Sequence, residues 1–232
     1  MARPRVALII PTLNEEEAIG GVLAAVPRDA VDEIIVADSG SIDRTAERAR
    51  AGGARIVNES RRGYGRACHA GAEAAGDCDV LVFLDGDGSD RPELIPLLVA
   101  PIIEGRFDFV IGSRTRGRRE RGSMSAHQIV AGYAAGLALR LLYGARFTDM
   151  CPFRAIRREA LLQLGMREMT YGWNLEMQMR AARAKLRILE IPVDHRRRVG
   201  GVSKVSGSLP GTIKATLRIS ATLTRIACEG RR

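Results

Sequence analysis

Aromatic residues are scarce in this 232-residue chain: they make up 4% of it, with one tryptophan, Trp173. That poverty argues against a single-stranded nucleic-acid platform, which stacks bases on aromatic rings. No groove-reading module is recognisable either. The three histidines (His69, His127, His195) and four cysteines (Cys68, Cys78, Cys151, Cys228) are widely dispersed, with no C-x-x-C pair. This excludes a zinc pattern and a small disulfide scaffold, and isolated thiols fit a reducing cytosol. Long apolar runs are missing as well. The uncharged stretch Ser123–Leu139 contains Ser, His, Gln and Gly and stops at Arg140, a poor membrane span. Met1-Ala2-Arg3-Pro4-Arg5 leads into a strand-like run without a signal-peptide pattern. The expectation is a cytoplasmic protein, soluble or peripheral on the membrane face.

The chain is 46% hydrophobic, enough to bury one substantial core, built mainly from Val, Ile, Leu and Ala. Its formal net charge is +9 and its pI about 10.1. Such an excess suits an anionic partner: nucleic acid, a phosphorylated substrate or membrane headgroups. Much of it is arginine, which grips phosphate in a bidentate way.

The first half alternates β-rich runs with helical patterns. Strands are expected at Val6–Ile10, Glu33–Asp38, Ala54–Asn58, Val80–Leu84 and Phe107–Gly112. Helices are expected near Glu15–Ala25, Asp43–Ala51, Gly65–Ala75 and Arg91–Ile103. Near-continuous apolar strands between helices indicate an α/β fold with a mostly parallel sheet covered on both faces. Asp90 and Glu93 frame a capping box around Pro92. The second half is less regular. A loop from Arg114 to Gly122 carries Arg114, Arg116, Arg118, Arg119 and Arg121. A helix over Ser123–Tyr143 follows, then a strand at Phe153–Ile156 and helices at Arg157–Leu164 and Asn174–Ala184. A strand at Leu186–Val193 and a basic, weakly amphipathic helix at Leu209–Cys228 close the chain.

The chemistry-bearing residues cluster at expected strand ends, where α/β sheets bind ligands. After the first strand, Pro11-Thr12-Leu13-Asn14-Glu15 fixes a turn; Glu15 suits a ribose or base, or simple capping. The second strand ends at Asp38, beside Ser39-Gly40-Ser41, where an acid can bind a nucleobase edge; Asp43 caps the next helix. Gly63-x-Gly65, after Arg61 and Arg62, suits close approach to a diphosphate. It fails as a dinucleotide fingerprint, because Cys68 stands where the third glycine belongs and the pair follows the third strand. This argues against a Rossmann oxidoreductase. The fourth strand ends in Asp85-Gly86-Asp87, two carboxylates that can share a hard divalent cation, which neutralises a phosphate-bearing ligand.

In order, Pro11-Thr-Leu-Asn14-Glu15, Asp38 with Gly-Ser41-x-Asp-x-Thr, Leu-Asp85-Gly86-Asp87 and Asp108-Phe-Val-Ile-Gly-Ser113-Arg114 resemble the family 2 glycosyltransferases of GT-A fold. Asp149-Met-Cys-Pro-Phe-Arg154-Ala-Ile-Arg-Arg, Tyr171-Gly-Trp-Asn-Leu-Glu176 and Arg198-x-x-Gly-x-Ser203-Lys204 resemble the branch of dolichyl- and polyprenyl-phosphate mannosyl- and glucosyltransferases. The resemblance covers nearly the whole chain. It implies a single GT-A domain, with residues 1–114 as the nucleotide-sugar half, 115–208 as the acceptor side and 209–232 as a basic helix. Pro11, Asn14, Glu15, Asp38, Ser41 and Gly86 would line the donor nucleotide pocket. Asp85 and Asp87 would carry Mg²⁺ or Mn²⁺ and the donor diphosphate. Ser113, Arg114, Arg121, Asp149, Arg154, Arg198, Ser203 and Lys204 would face phosphate or acceptor. The sequence departs from the pattern at Ala37, where the family often has a second acid. It departs also at Ser89, where several members carry a glutamine metal ligand, and at Pro152, a frequent glycine. Members of the branch often continue into transmembrane helices; this sequence has none.

The implied reaction is inverting transfer of a hexose from a UDP- or GDP-sugar to polyprenyl phosphate at the cytoplasmic membrane surface. A metal ion and arginines stabilise the leaving diphosphate. A lipid phosphate is already largely ionised at neutral pH and needs cationic guidance rather than a base. The Arg114–Arg121 cluster fits that demand. If the acceptor is a hydroxyl, Glu176 is the candidate base; otherwise it positions Arg154, Arg180 or Lys204. Asp149 orients the donor sugar or caps a turn, and Trp173 walls the sugar pocket or sits in the core. Ser123–Tyr143 and the terminal basic helix face lipid or pack internally. A soluble glycosyltransferase with a sugar or small hydroxyl acceptor is the first alternative, and a nucleotidyltransferase the second. Nucleic-acid binding without catalysis ranks last.

Overall fold

The computed structural model describes residues 3–200 and 221–229. Four parallel strands come first: β1 (Val6–Thr12), β2 (Glu33–Asp38), β3 (Arg55–Asn58) and β4 (Val80–Phe83). Between them lie α1 (Ile19–Ala24), α2 (Thr45–Ala51) and α3 (Tyr64–Ala74). Every residue of β1 and β4 is buried, as expected of strands covered on both faces. α1 starts later than the apolar pattern suggests. Asn14 takes a left-handed φ of 52°, and the Glu15 carbonyl accepts the Ala18 and Ile19 amides at 3.1 and 2.9 Å, spending one turn before the helix.

The expected Arg91–Ile103 helix divides into a 3₁₀ turn, Pro92–Leu94, and α4 (Ile95–Ile103). The capping box expected of Asp90 and Glu93 does not form, because no side chain caps the turn. Asp90 Oδ2 instead accepts the Asp85 amide at 3.0 Å. The chain continues through β5 (Phe109–Ser113), α5 (Ala126–Tyr143), β6 (Arg154–Arg157), α6 (Arg158–Leu164), α7 (Trp173–Arg183) and β7 (Ile188–Pro192).

The sheet order is β3-β2-β1-β4-β6-β5-β7. β6 runs antiparallel between β4 and β5, and the other pairs are parallel. Arg154, the first residue of β6, lies opposite Phe83 of β4 and Ile111 of β5. The residues before β6 therefore emerge at the same sheet edge as those after β1, β2, β4, β5 and β7. One antiparallel insertion brings Asp149 to the carboxyl edge.

α5 opens with a capping box between Ser125 and Gln128 and ends at Gly144, whose φ is 70°. A Cβ on Gly136 would collide with the Phe147 carbonyl, so the helix lies directly on the backbone leading to Asp149. Gly132, Ala135, Gly136 and Leu139 form its buried side. Val130 (66%), Tyr133 (53%), Leu137 (58%) and Leu141 (78%) are exposed. No helix among the described residues is long and apolar enough to cross a membrane. Residues 221–229 are helical; the rest of the expected terminal helix lies outside the described residues.

Candidate active site

β1 and β4 are sheet neighbours, but the chain leaves β1 toward β2 on one side and leaves β4 toward β5 on the other. The strand order reverses there, opening a crevice at the carboxyl ends. On its β1–β2 side, Asp38 is nearly buried and joins two loops. Its Oδ1 accepts the Thr12 and Ser41 hydroxyls at 3.1 and 2.5 Å, and its Oδ2 accepts the Ser41 amide at 2.9 Å. The Ser41 hydroxyl accepts the Asn14 amide at 2.8 Å, and Asn14 Oδ1 accepts the Ile42 amide at 3.0 Å. Thr45 continues the seam, its hydroxyl accepting the Glu15 amide and donating to Asp43. Burial opposes ionisation of Asp43, yet these Thr45 hydrogen bonds hold its carboxyl below the ordinary value. The structure thus brings Pro11, Asn14, Glu15, Asp38 and Ser41 together on one wall.

The β4 side carries the acid loop. Gly86 has to be glycine: a Cβ there would lie 2.8 Å from the Thr12 methyl and 3.3 Å from Ile10. Asp87 Oδ1 accepts the Ser89 amide at 2.9 Å. Asp85 Oδ1 and Asp90 Oδ1 are both shielded from solvent and without a hydrogen-bond partner. Burial pushes the Asp85 carboxyl well above the ordinary range, and the charges of Asp90 and Asp87 push it further. Three carboxylates with two orphaned oxygens between them make a place that a cation relieves. Among the described residues, no His, Cys, Asp and Glu side chains form a ready-made metal cage. A divalent ion at Asp85 and Asp87 therefore fits as one completed by phosphate oxygens and water. Asp90 and His195 are the site residues the sequence reading missed. In the sequence Asp90 has the place of a helix cap; in the fold His195 Nδ1 lies 3.6 Å from its Oδ1. The available signal was a third acid five residues after Asp85.

The segment after β7 crosses this loop. Arg196 and Val199 donate backbone hydrogen bonds to the carbonyls of Ser89 and Asp87, each at 2.9 Å. Arg198 donates to both Glu15 carboxylate oxygens at 3.1 and 3.0 Å. The same segment pairs with the arginine loop: His195 donates to the Arg118 carbonyl, and Glu120 donates back to His195. Arg116, Arg118, Arg119 and Arg121 are exposed. Arg114 is not. Its guanidinium grips Asp149 through Nε at 2.7 Å and Nη2 at 2.8 Å, and its amide adds a bond at 3.0 Å. Burial opposes the charge on both partners. The hydrogen bonds between them outweigh it, keeping Asp149 acidic and Arg114 firmly protonated. Ser113, fully buried, shares a hydroxyl bond of 2.6 Å with Thr148.

A family model described as glycosyl transferase family 2 matches residues 7–165, well over half the chain. The chain belongs to glycosyltransferase family 2. An uncharacterized glycosyltransferase of Mycobacterium tuberculosis is 41% identical over 217 residues, covering 94% of this chain and 97% of the relative. The undecaprenyl-phosphate mannosyltransferase of Micrococcus luteus is 33% identical, covering 89% and 90%. Among solved structures, glucosyl-3-phosphoglycerate synthase from M. tuberculosis, in complex with Mn²⁺, UDP and phosphoglyceric acid, superposes with a TM-score of 0.78 at 27% identity. That match covers 97% of this chain and 78% of the synthase.

Several residues assigned by resemblance lie elsewhere in this glycosyltransferase. Arg154 is fully buried and holds the carbonyls of Cys151 and Asn174, with its guanidinium 5.8 Å from the Phe109 ring centre. It is a core arginine and presents nothing to an acceptor. Glu176, also fully buried, accepts the amides of Arg167 and Glu168 at 2.9 and 2.5 Å. The Arg180 and Arg225 side chains complete its shell at 2.9 and 3.1 Å. Burial alone would raise its carboxyl; those amides and Arg180 lower it below the ordinary value. That environment suits a positioning carboxylate, not a base. Trp173 is a core residue, edge-on to His69 and Phe83. Gly63 and Gly65 serve packing: a Cβ on either would strike the Met169 or Glu168 carbonyl. The Gly65 and Arg66 amides in the first turn of α3 donate to the Thr170 and Met169 carbonyls and are not free to cradle a diphosphate. Ser203 and Lys204 lie outside the described residues.

Proposed function

We propose that this glycosyltransferase moves a hexose from a UDP- or GDP-hexose to polyprenyl phosphate at a membrane surface, with inversion at the anomeric carbon. The supporting observation is the adjacency of an exposed arginine loop and the exposed apolar face of α5, which follows that loop directly in the chain. A lipid phosphate has one ionised head and one hydrocarbon tail. Arg116, Arg118, Arg119 and Arg121 suit the head, and Val130, Tyr133, Leu137 and Leu141 suit the hydrocarbon boundary. Glu176 is engaged in structure, which fits an acceptor that arrives ionised and needs no base. The polyprenyl-type relative in Micrococcus luteus supports the same acceptor class.

In this reading Asp85 and Asp87 hold Mg²⁺ or Mn²⁺, which supplies positive charge to the leaving diphosphate. Pro11, Asn14, Glu15, Asp38 and Ser41 shape the nucleoside wall, with Gly86 admitting close backbone approach. Arg198 and the exposed loop arginines meet phosphate oxygens, while the Arg114–Asp149 fork holds the acceptor side rigid. Glucosyl-3-phosphoglycerate synthase favours one second reading, a small phosphorylated acceptor in water. The deciding experiment offers radiolabelled UDP-glucose and GDP-mannose with Mn²⁺, giving each polyprenyl phosphate in vesicles or 3-phosphoglycerate. Label in the organic-extractable product is expected. Label confined to the aqueous product rejects the lipid acceptor.

A further inference from the structure

Arg198 has company that its assignment to phosphate does not explain. Besides the Glu15 fork, its Nε donates to the Gly200 carbonyl at 2.7 Å, and its Nη1 lies 3.7 Å from Asp87 Oδ2. The side chain is 22% exposed and that of Asp87 18%, so water screens the pair only in part. The backbone repeats the attachment, with the Val199 amide on the Asp87 carbonyl at 2.9 Å. A Cβ on Gly88 would lie 2.6 Å from the Val199 side chain, so the segment sits flush on the acid loop. The guanidinium is a cation seated at one of the two carboxylates that suit a metal ion.

We propose that Arg198 is the resident counter-cation of the acid loop, displaced from Asp87 when a divalent ion binds, so that metal loading and release of the 196–200 segment are coupled. The proposal rests on Asp85 and Asp87 as metal ligands and goes beyond it. Two cations within a few ångströms of one half-buried carboxylate repel each other, and the mobile side chain yields to the divalent charge. Coupling is reciprocal: whatever holds Arg198 on Asp87 weakens metal binding by the same factor that metal weakens that contact. Glu15 stays gripped on the guanidinium's other edge and keeps it at the cleft mouth. A donor diphosphate is then its next partner, an anion suited to a planar fork.

The test is calorimetric titration of MnCl₂, without nucleotide, into the wild-type protein and the Arg198→Gln, Arg198→Lys and Asp87→Asn variants. Hydrogen exchange of the Val199 amide is followed in parallel. Arg198→Gln is expected to bind Mn²⁺ more tightly by on the order of tenfold, and Arg198→Lys to stay near wild type. Mn²⁺ should speed exchange of the Val199 amide in the wild-type protein. In Arg198→Gln that amide should exchange rapidly with or without metal. Equal or weaker affinity in Arg198→Gln, with wild-type binding that Asp87→Asn abolishes, overturns this proposal alone. If the wild-type protein binds no Mn²⁺ at all, the metal reading falls with it. Unchanged Val199 protection in metal-loaded wild type also overturns the proposal, whether or not the Gln variant folds.

Discussion

Two carboxylates of this enzyme, the buried Glu176 and the partly buried Asp85, shift in opposite directions, and their neighbours decide which. Glu176 receives two amides and two guanidinium groups, so its charge stabilises the fold above the ordinary carboxylate range and is lost as pH falls through its lowered value. Glu176→Gln leaves those cations facing a neutral group. The expected loss is about 3 kcal/mol in urea unfolding, with the pH profile of turnover unchanged. A base would behave otherwise, losing at least about a hundredfold in turnover with stability intact. Asp85 has the reverse character: its raised carboxyl favours the protonated form in the metal-free fold. Its stabilising contribution is present below the ordinary range and lost as pH rises through the raised value. Metal binding requires the ionised form, so the gain in Tm from Mn²⁺ should grow as pH rises from the ordinary carboxylate range to neutrality and above. A Mn²⁺ shift of equal size across that range, read by thermal unfolding, would remove Asp85 from the metal site.

At the scale of elements, α5 and β6 are the two that bring Asp149 to the carboxyl edge. Both were recognisable as a helix and a strand, yet neither the direction of β6 nor the docking of α5 could be read. An apolar strand has the same composition whichever way it runs, and β6 is antiparallel to both β4 and β5 because the chain enters it at their carboxyl edge, at Arg154. α5 is apolar over most of its surface, so periodicity did not choose a buried side. Gly136 chose it, by admitting the Phe147 carbonyl where any Cβ would collide, and Gly132 lies beside Thr148–Asp149 on the same side. Leu137 points away from that contact and is 58% exposed. Leu137→Glu should therefore leave the unfolding midpoint within about 0.5 kcal/mol of wild type. Its partition onto anionic vesicles in a flotation assay should fall at least about tenfold if α5 meets lipid. Unaltered partition would assign the apolar face to another partner.

Over the whole molecule, the excess of basic residues is spread unevenly in its duties. Arg114, Arg154 and Arg180 are buried or nearly so and hold Asp149, backbone carbonyls and Glu176. Arg116, Arg118, Arg119 and Arg121 project to solvent. Only exposed charges within reach of a surface contribute to its attraction, and salt screens them. Binding to anionic vesicles should weaken at least about tenfold as NaCl rises from roughly 0.05 to 0.5 M, with little binding to zwitterionic vesicles at either salt. Salt-independent binding to both vesicle types would mean that apolar contact, not charge, carries the association.

The alternation of strands and helices, the polar turns at Pro11–Glu15 and Asp38–Ser41 and the acid pair at Asp85 and Asp87 follow from the sequence alone. Each is a local pattern: an apolar run, a turn, and polar residues at a strand end whose carboxyl edge is where α/β crevices open. The tertiary structure alone decided which charges serve the site and which serve the core. Arg154 and Arg114 are the same residue type at neighbouring strand ends, but one faces the Phe109 ring and two carbonyls while the other reaches Asp149 near the cleft. Asp90 and Arg198 were brought to the acid loop from a turn and from the far end of the chain. A charge buried far from water needs a partner at hydrogen-bonding distance. That partner is chosen by which backbone segments the sheet order places side by side, information that no short motif contains.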